Sequence, residues 1–234
     1  VISGHRLAPR RPLVCLVTDR VRLLGTPVLD EAGMASIAAL AGEAARAGVA
    51  LIQVREPDLP ARQLYDLVRA CCDAVAGTDA RVLVNDRLDV ALAAGAHGVH
   101  LRSASFPASE VRRLAPPAFV VGRSVHDAAE ARAVAAGGDL DYLIAGTVFP
   151  TPSKPGARLL GLDGLRAVVE AAGVPVLAIG GIASGDRAAA VAGTGAAGVA
   201  AIGLFAGAAD FQGWRDRLAE VFRRFDTGAG ASLD

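Results

Sequence analysis

Val176-Leu-Ala-Ile-Gly-Gly-Ile182 and Gly195-Ala-Ala-Gly-Val-Ala-Ala-Ile-Gly-Leu204 are short apolar runs that break at glycine, each followed by a plausible helix start. Neither alternates polar with apolar residues, so each suits a strand buried on both faces, as in a parallel sheet covered by helices. Gly180 and Gly181 free the backbone for a tight turn, and Ser184 and Asp186 are placed to cap the next helix. Two neighbouring strands that end this way can aim several backbone N–H groups at one point. After strands 7 and 8 of a (β/α)₈ barrel that arrangement is a common phosphate site; the alternative is that the glycines only let helices pack closely on strands.

The same unit recurs along the chain. Apolar runs at 13–19, 49–55, 81–85, 98–101, 119–124 and 141–146 precede helical patterns at 35–48, 60–76, 88–94, 108–114, 128–136 and 164–172. A loop is expected after Asp19, running to about Leu29. The last helix spans 211–225, with Trp214, Leu218, Val221 and Phe225 at helical spacing. Strand and helix thus alternate eight times with short connections, and 234 residues suit one barrel domain, which typically needs about 250. An open doubly wound sheet would be expected to show a glycine-rich turn after the first strand, where Thr18-Asp19-Arg20 stands instead. The expectation is a single α/β domain over 1–234, a (β/α)₈ TIM barrel, with a polar lead-in at 1–11 and a frayed tail at 226–234.

Twenty-four basic and 24 acidic residues cancel, giving no electrostatic case for nucleic acid or an anionic membrane. No apolar stretch reaches the roughly 18 residues a membrane span needs, and the basic start lacks the apolar segment of a secretory signal. Cys15, Cys71 and Cys72 are odd in number, without metal-ligand spacing, and read as buried reduced thiols. The chain is expected to be cytoplasmic. The apolar face of the last helix packs either on the barrel or on a second subunit, so a homo-oligomer stays open.

Polar residues gather where the strands end: Gln53 and Arg55, Asn85 and Asp86, His100, Ser124 and His126, then Thr147, Thr151, Ser153 and Lys154. In a barrel these positions face the reaction. Arg55 can grip phosphate or carboxylate with its fork of donors, or pair with Glu56 or Asp86. Asp86 reads as a metal ligand, a base or a helix N-cap. His126 has the ordinary pKa of a proton shuttle near neutrality, with a backbone hydrogen bond as the plainer role. His97 and His100 read as structural. Lys154, in Pro150-Thr-Pro-Ser-Lys-Pro-Gly156, holds an anion or is simply solvated.

Taken in order, Leu16-Val-Thr-Asp19, Gln53-Val-Arg-Glu56, Val84-Asn-Asp-Arg-Leu-Asp-Val-Ala-Leu92, Gly98-Val-His-Leu101, Gly122-Arg-Ser-Val-His126, Gly146-Thr-Val-Phe-Pro-Thr151 with Lys154, and Ala178-Ile-Gly-Gly-Ile182 resemble the thiamine phosphate synthase/TenI superfamily over about residues 13–205. The resemblance implies one of two activities. The synthase joins a hydroxymethylpyrimidine diphosphate to a thiazole phosphate, with magnesium holding the departing diphosphate. The TenI type moves a proton on a thiazole phosphate carboxylate and needs no metal. The synthase pattern has a lysine where this chain has Pro57, and a second metal-binding aspartate where it has Ser103-Ala-Ser-Phe106. These departures lead to the expectation of a TenI-like tautomerase with no cofactor and a small thiazole phosphate as substrate. In that reading His126 shuttles the proton with Arg55 on the carboxylate. Gln53, Asn85, Ser124, Thr151 and Lys154 bind substrate, and Gly180, Gly181, Ile202 and Gly203 cradle the phosphate. The alternatives are the magnesium-dependent synthase, with Asp86 as metal ligand, and a non-catalytic homologue that binds thiamine precursors.

Overall fold

In the computed structural model, which describes Leu7, residues 12–206 and residues 211–228, the apolar runs become parallel strands. These are β1 (Leu13–Val17), β2 (Leu51–Val54), β3 (Arg81–Asn85), β4 (Gly98–Leu101), β5 (Val120–Val125), β6 (Tyr142–Gly146), β7 (Val176–Ile179) and β8 (Gly198–Ala201). They pair in sequence order and β8 returns to β1, with Leu13 opposite Gly198 and Leu16 opposite Ala201, so the sheet closes into a barrel. The helices are α1 (Arg20–Leu24), α2 (Glu31–Arg46), α3 (Ala61–Ala74), α4 (Leu88–Ala93), α5 (Ala108–Leu114), α6 (Ala128–Ala135), α7 (Gly161–Ala172), α8 (Gly185–Ala192) and α9 (Phe211–Gly228). The expected TIM barrel is the observed fold. Apart from residue 7, the lead-in at 1–11 lies outside the described residues, as does the tail beyond 228.

Several boundaries differ from expectation for local reasons. The loop after β1 contains α1, because Asp19 caps it by accepting from the Arg22 N–H at 3.2 Å, and Gly25 ends it at φ 76°. α2 starts at Glu31 rather than Ala35, since the Asp30 carboxylate accepts from the Gly33 N–H at 2.8 Å. β7 stops at Ile179 because Gly180 and Gly181 turn the chain at φ 107° and 69°. The last helix continues past Asp226 to Gly228.

Alternate strand residues divide the core. Val14, Leu16, Ile52, Val82 and Val84 face the helices, while Leu13, Cys15, Val17, Leu51, Leu83, Val120, Tyr142, Ile144 and Leu177 fill the lumen. Cys15 is fully buried, which pushes its thiol up to about 12, and all three cysteines are free. In α9, Trp214, Leu218, Val221 and Phe225 are all buried, with the Trp214 and Phe205 ring centres 5.6 Å apart. That apolar face is therefore spent within the chain, on its own barrel. No helix among the described residues is long and apolar enough to cross a membrane.

One glycine decides the upper layer of the lumen. A Cβ at Gly122 on β5 would stand 2.1 Å from Tyr142 Cζ, so the phenol ring of β6 occupies the space a side chain there would fill. Gly122→Ala should destabilise the barrel by about 1–3 kcal/mol through overpacking, measured as a lower urea midpoint. An unchanged midpoint would mean that Tyr142 can move aside freely.

Candidate active site

Polar side chains crown the lumen at the carboxyl ends of the strands. Gln53, buried on β2, donates from Nε2 to Asn85 Oδ1 on β3 at 3.0 Å. Across from them, His100 on β4 bridges Tyr142 and Ser124: its Nδ1 lies 2.9 Å from the Tyr142 hydroxyl and its Nε2 2.8 Å from Ser124 Oγ. Burial pushes the His100 imidazole down to about 3, so the ring is neutral, with one donor and one acceptor. The Tyr142 hydroxyl is buried and has no other partner among the described residues, and burial also raises its pKa, so it keeps its proton and donates it to Nδ1. Nε2–H then donates to Ser124 Oγ, which leaves the serine proton free for a ligand.

Asp86 follows β3 with φ 63°, a left-handed conformation rare outside glycine. Its N–H donates to the His100 carbonyl at 2.9 Å. It does not cap α4, whose N-cap is Arg87 with no side-chain bond. Instead its Oδ1 accepts from the Ser105 hydroxyl, and its Oδ2 accepts from Arg102 Nε at 2.7 Å, with Arg102 Nη2 2.5 Å away in the ion pair. Burial raises the carboxyl, but the Ser105 and Arg102 hydrogen bonds and the Arg102 charge outweigh it and hold the group below its ordinary range.

The loop carrying Arg102 and Ser105 is tied down twice. Arg102 N–H donates to Ser105 Oγ at 3.0 Å. Arg123, a buried cation on β5, donates to the carbonyls of Phe106 at 3.1 Å, Ser103 at 3.3 Å and Ser105. Its side chain meets carbonyls rather than a carboxylate, and burial lowers its pKa. Arg102, Arg123, Tyr142 and the bridging role of His100 were not expected from sequence. The signal that could have revealed His100 is its parity: in a period-two strand it shares the inward face with Gly98.

Arg55 is held by its backbone, with its N–H donating to Thr18 Oγ1 at 2.9 Å. It pairs with neither expected carboxylate. Glu56 is taken by the buried Arg20, at 2.9 Å from Nη1 and 3.1 Å from the backbone N–H, and Asp86 by Arg102. Arg20 also binds Asp58, and mainly that hydrogen bond draws the Asp58 carboxyl down to about 2. The segment bearing Arg55 is therefore anchored while its guanidinium remains available.

The other expected residues fall into separate places. His126 is half-exposed, and both its N–H (2.7 Å) and its Nδ1 (3.2 Å) meet Glu130 Oε2. It lines a cavity of about 550 Å³ with Thr147, Lys154, Arg158 and Leu160, between the starts of α6 and α7. Gln53, Asn85, Ser124 and Arg55 do not line that cavity. Thr151 turns the β6–α7 loop, accepting at its hydroxyl from Ser153 N–H at 3.3 Å. Gly180 and Gly181 serve close packing as well as the turn, since Cβ atoms there would meet Thr147 Cγ2 at 2.5 Å and the Pro150 carbonyl at 2.6 Å. The N–H groups of Gly181, Ile202 and Gly203 donate to no group among the described residues, and the space beside Gly203 is open. His97 is structural, its Nδ1 accepting from Val82 N–H at 2.9 Å.

The neutral His100 has a consequence for acid stability. In the unfolded chain the ring binds a proton near 6.5, but in the fold only near 3. Its contribution is complete above pH 6.5 and is lost as pH falls toward 3, because the unfolded state then binds the extra proton. The parent should lose more urea stability between pH 7 and pH 4.5 than His100→Gln does. Equal losses would mean that His100 is not held neutral.

Comparison with known proteins bears on the two activities. The family model described as thiamine monophosphate synthase matches residues 26–205. The chain is 43% identical over 178 residues to the thiamine-phosphate synthase of Moorella thermoacetica, covering 76% of this chain and 84% of that protein. It is 35% identical over 210 residues to the thiamine-phosphate synthase of Caldanaerobacter subterraneus, covering 89% and 93%. The structure of thiamine phosphate pyrophosphorylase from Pyrococcus furiosus superposes with a TM-score of 0.75 at 33% identity, covering 94% of this chain and 98% of that one. A 3-hexulose-6-phosphate synthase, at 23% identity and TM-score 0.63, shows the shared fold alone. The tautomerase expected from Pro57 and Ser103–Phe106 is corrected by these relatives, which bear the name of the transferase. The proton-shuttle role of His126 goes with it; the absence of two groups from a site says little about the reaction when other side chains, here Arg102 and Ser105, have filled the place of one. The chain belongs to the thiamine monophosphate synthase family.

Proposed function

We propose that this chain is a transferase of the thiamine-phosphate synthase type, joining a hydroxymethylpyrimidine diphosphate to a thiazole phosphate. The observation that carries the reading is the name shared by relatives at 35–43% identity that match 76–89% of the chain. Both substrates are small anions, in keeping with action in the cytoplasm.

The mouth of the barrel offers the required contacts. The undonated N–H groups of Gly181, Ile202 and Gly203, with Gly180 shaping the turn, take the thiazole phosphate; they are fixed before the ligand arrives and need no reorganisation. Lys154 and Thr151 on the β6–α7 loop add to that end. The Gln53–Asn85 amide pair has the donors and acceptors to orient the pyrimidine, and Ser124 gives its free proton to a phosphate oxygen. Arg55 supplies a guanidinium that is unpaired among the described residues for the diphosphate. These contacts hold the ring nitrogen of one substrate against the methylene carbon of the other, where proximity does most of the catalysis.

Magnesium, which the resemblance attaches to this reaction, finds a poor donor set. No group of three His, Cys, Asp or Glu side chains among the described residues is placed to hold a metal, and both oxygens of Asp86 are already bonded. The residues present do not fit a protein-held divalent cation.

The reading is tested by supplying both substrates and following diphosphate release and thiamine phosphate together. Product should require both substrates, and Arg55→Ala should lower kcat/KM by about 10²-fold, the usual cost of removing a positioned donor to developing charge. Failure to form thiamine phosphate with or without added magnesium would refute the transferase.

A further inference from the structure

Resting on the transferase reading, we infer that Asp86 holds an arginine in place of a divalent cation, and that Arg102 is the positive group receiving the departing diphosphate. Asp86 stands at the barrel mouth after β3 with its side chain only 20% exposed, and its two oxygens are divided between two donors of the same chain. One is the Ser105 hydroxyl; the other is the Arg102 fork, whose Nε and Nη2 both reach Oδ2. A carboxylate neutralised in this way has little left to attract a metal, and a dication beside it would meet the guanidinium charge.

The arrangement also prepares Arg102 for an anion. Its side chain is 67% exposed although two of its nitrogens are bound, so the rest of the planar fork is presented outward. The backbone beneath it is fixed by the Ser105 hydroxyl and by the three carbonyls that Arg123 grips. A guanidinium fixed along one edge loses little entropy when its other edge takes phosphate oxygens bidentately. The transfer balances without a further reactant. The thiazole ring nitrogen forms a bond to the pyrimidine methylene carbon as the carbon–oxygen bond to diphosphate breaks, and the electron pair leaves on that oxygen. Arg102, with Arg55, neutralises the charge that develops there. Arg123 acts as a positioning residue for the loop.

Two measurements test this. The first titrates Mn²⁺ into ligand-free protein and follows water-proton relaxation. The parent should leave the ion free, while Arg102→Gly/Ser105→Asp, which removes the cation and adds a carboxylate, should bind it; Arg102→Gln/Ser105→Asp serves if the first variant does not fold. Stoichiometric binding by the parent that Asp86→Asn abolishes would overturn the inference. The second measures turnover in EDTA and in excess magnesium. The parent should stay within a few-fold between the two, and Arg102→Ala should lose about 10²-fold in kcat with an unchanged thermal midpoint. Loss of parental turnover in EDTA, or parent-like turnover by Arg102→Ala, would overturn it. Absence of turnover in every condition would instead defeat the transferase reading, and the Mn²⁺ titration would still decide whether Asp86 holds arginine or metal.

Discussion

Tyr142 occupies the space that a side chain at position 122 would fill, and the polar mouth of this barrel rests on that exchange. With the ring in place its hydroxyl reaches His100, and His100 reaches Ser124. The chain of bonds runs from β6 through β4 to β5, so three strands that share the closed sheet also share one buried polar network. Such networks are stable when every member is satisfied and costly otherwise. Here the neutral imidazole has one acceptor and one donor, and both are used. The output is a serine hydroxyl with a defined direction, set by packing several ångströms below it.

A buried cation does similar work on the rim. Arg123 sits beside Ser124 on the same strand but turns the other way, and its guanidinium holds backbone carbonyls of the β4–α5 loop. That loop carries Arg102 and Ser105 onto Asp86. Adjacent residues of β5 thus arrange the lumen and the rim separately, through the alternation that every strand has. The Arg20–Glu56 pair plays the equivalent part for Arg55, and removing one partner would leave a buried charge, which typically costs about 3–5 kcal/mol.

The fold was legible because it depends on period and punctuation. Eight apolar runs without alternation, each followed by a helical pattern, have few arrangements other than a closed parallel barrel. The boundaries that slipped did so at caps: Asp19 and Asp30 start helices earlier than the apolar pattern suggests. The site was legible in part. Gln53, Asn85 and Ser124 were placed correctly at strand ends, and parity would have added His100. Arg102 and Arg123 were not legible, since their partners are a carboxylate 16 residues away and a set of backbone carbonyls. No side-chain pattern encodes a carbonyl. Pro57 and Ser105 misdirect the choice between two reactions because residue identity shows only what they lack, whereas in the structure Ser105 and Arg102 fill the place beside Asp86.

On the proposed reading this mouth takes anions at two separate positions, backbone N–H groups after β7 and β8 and guanidinium groups after β2 and β4. A crystal structure of the chain with a thiazole phosphate and inorganic diphosphate together tests that most directly. The account predicts the monophosphate on the N–H groups of Gly181, Ile202 and Gly203, and the diphosphate against Arg102 and Arg55. Both anions found instead beside His126 and Arg158, between the starts of α6 and α7, with the glycine turns and Arg102 bare, would contradict it.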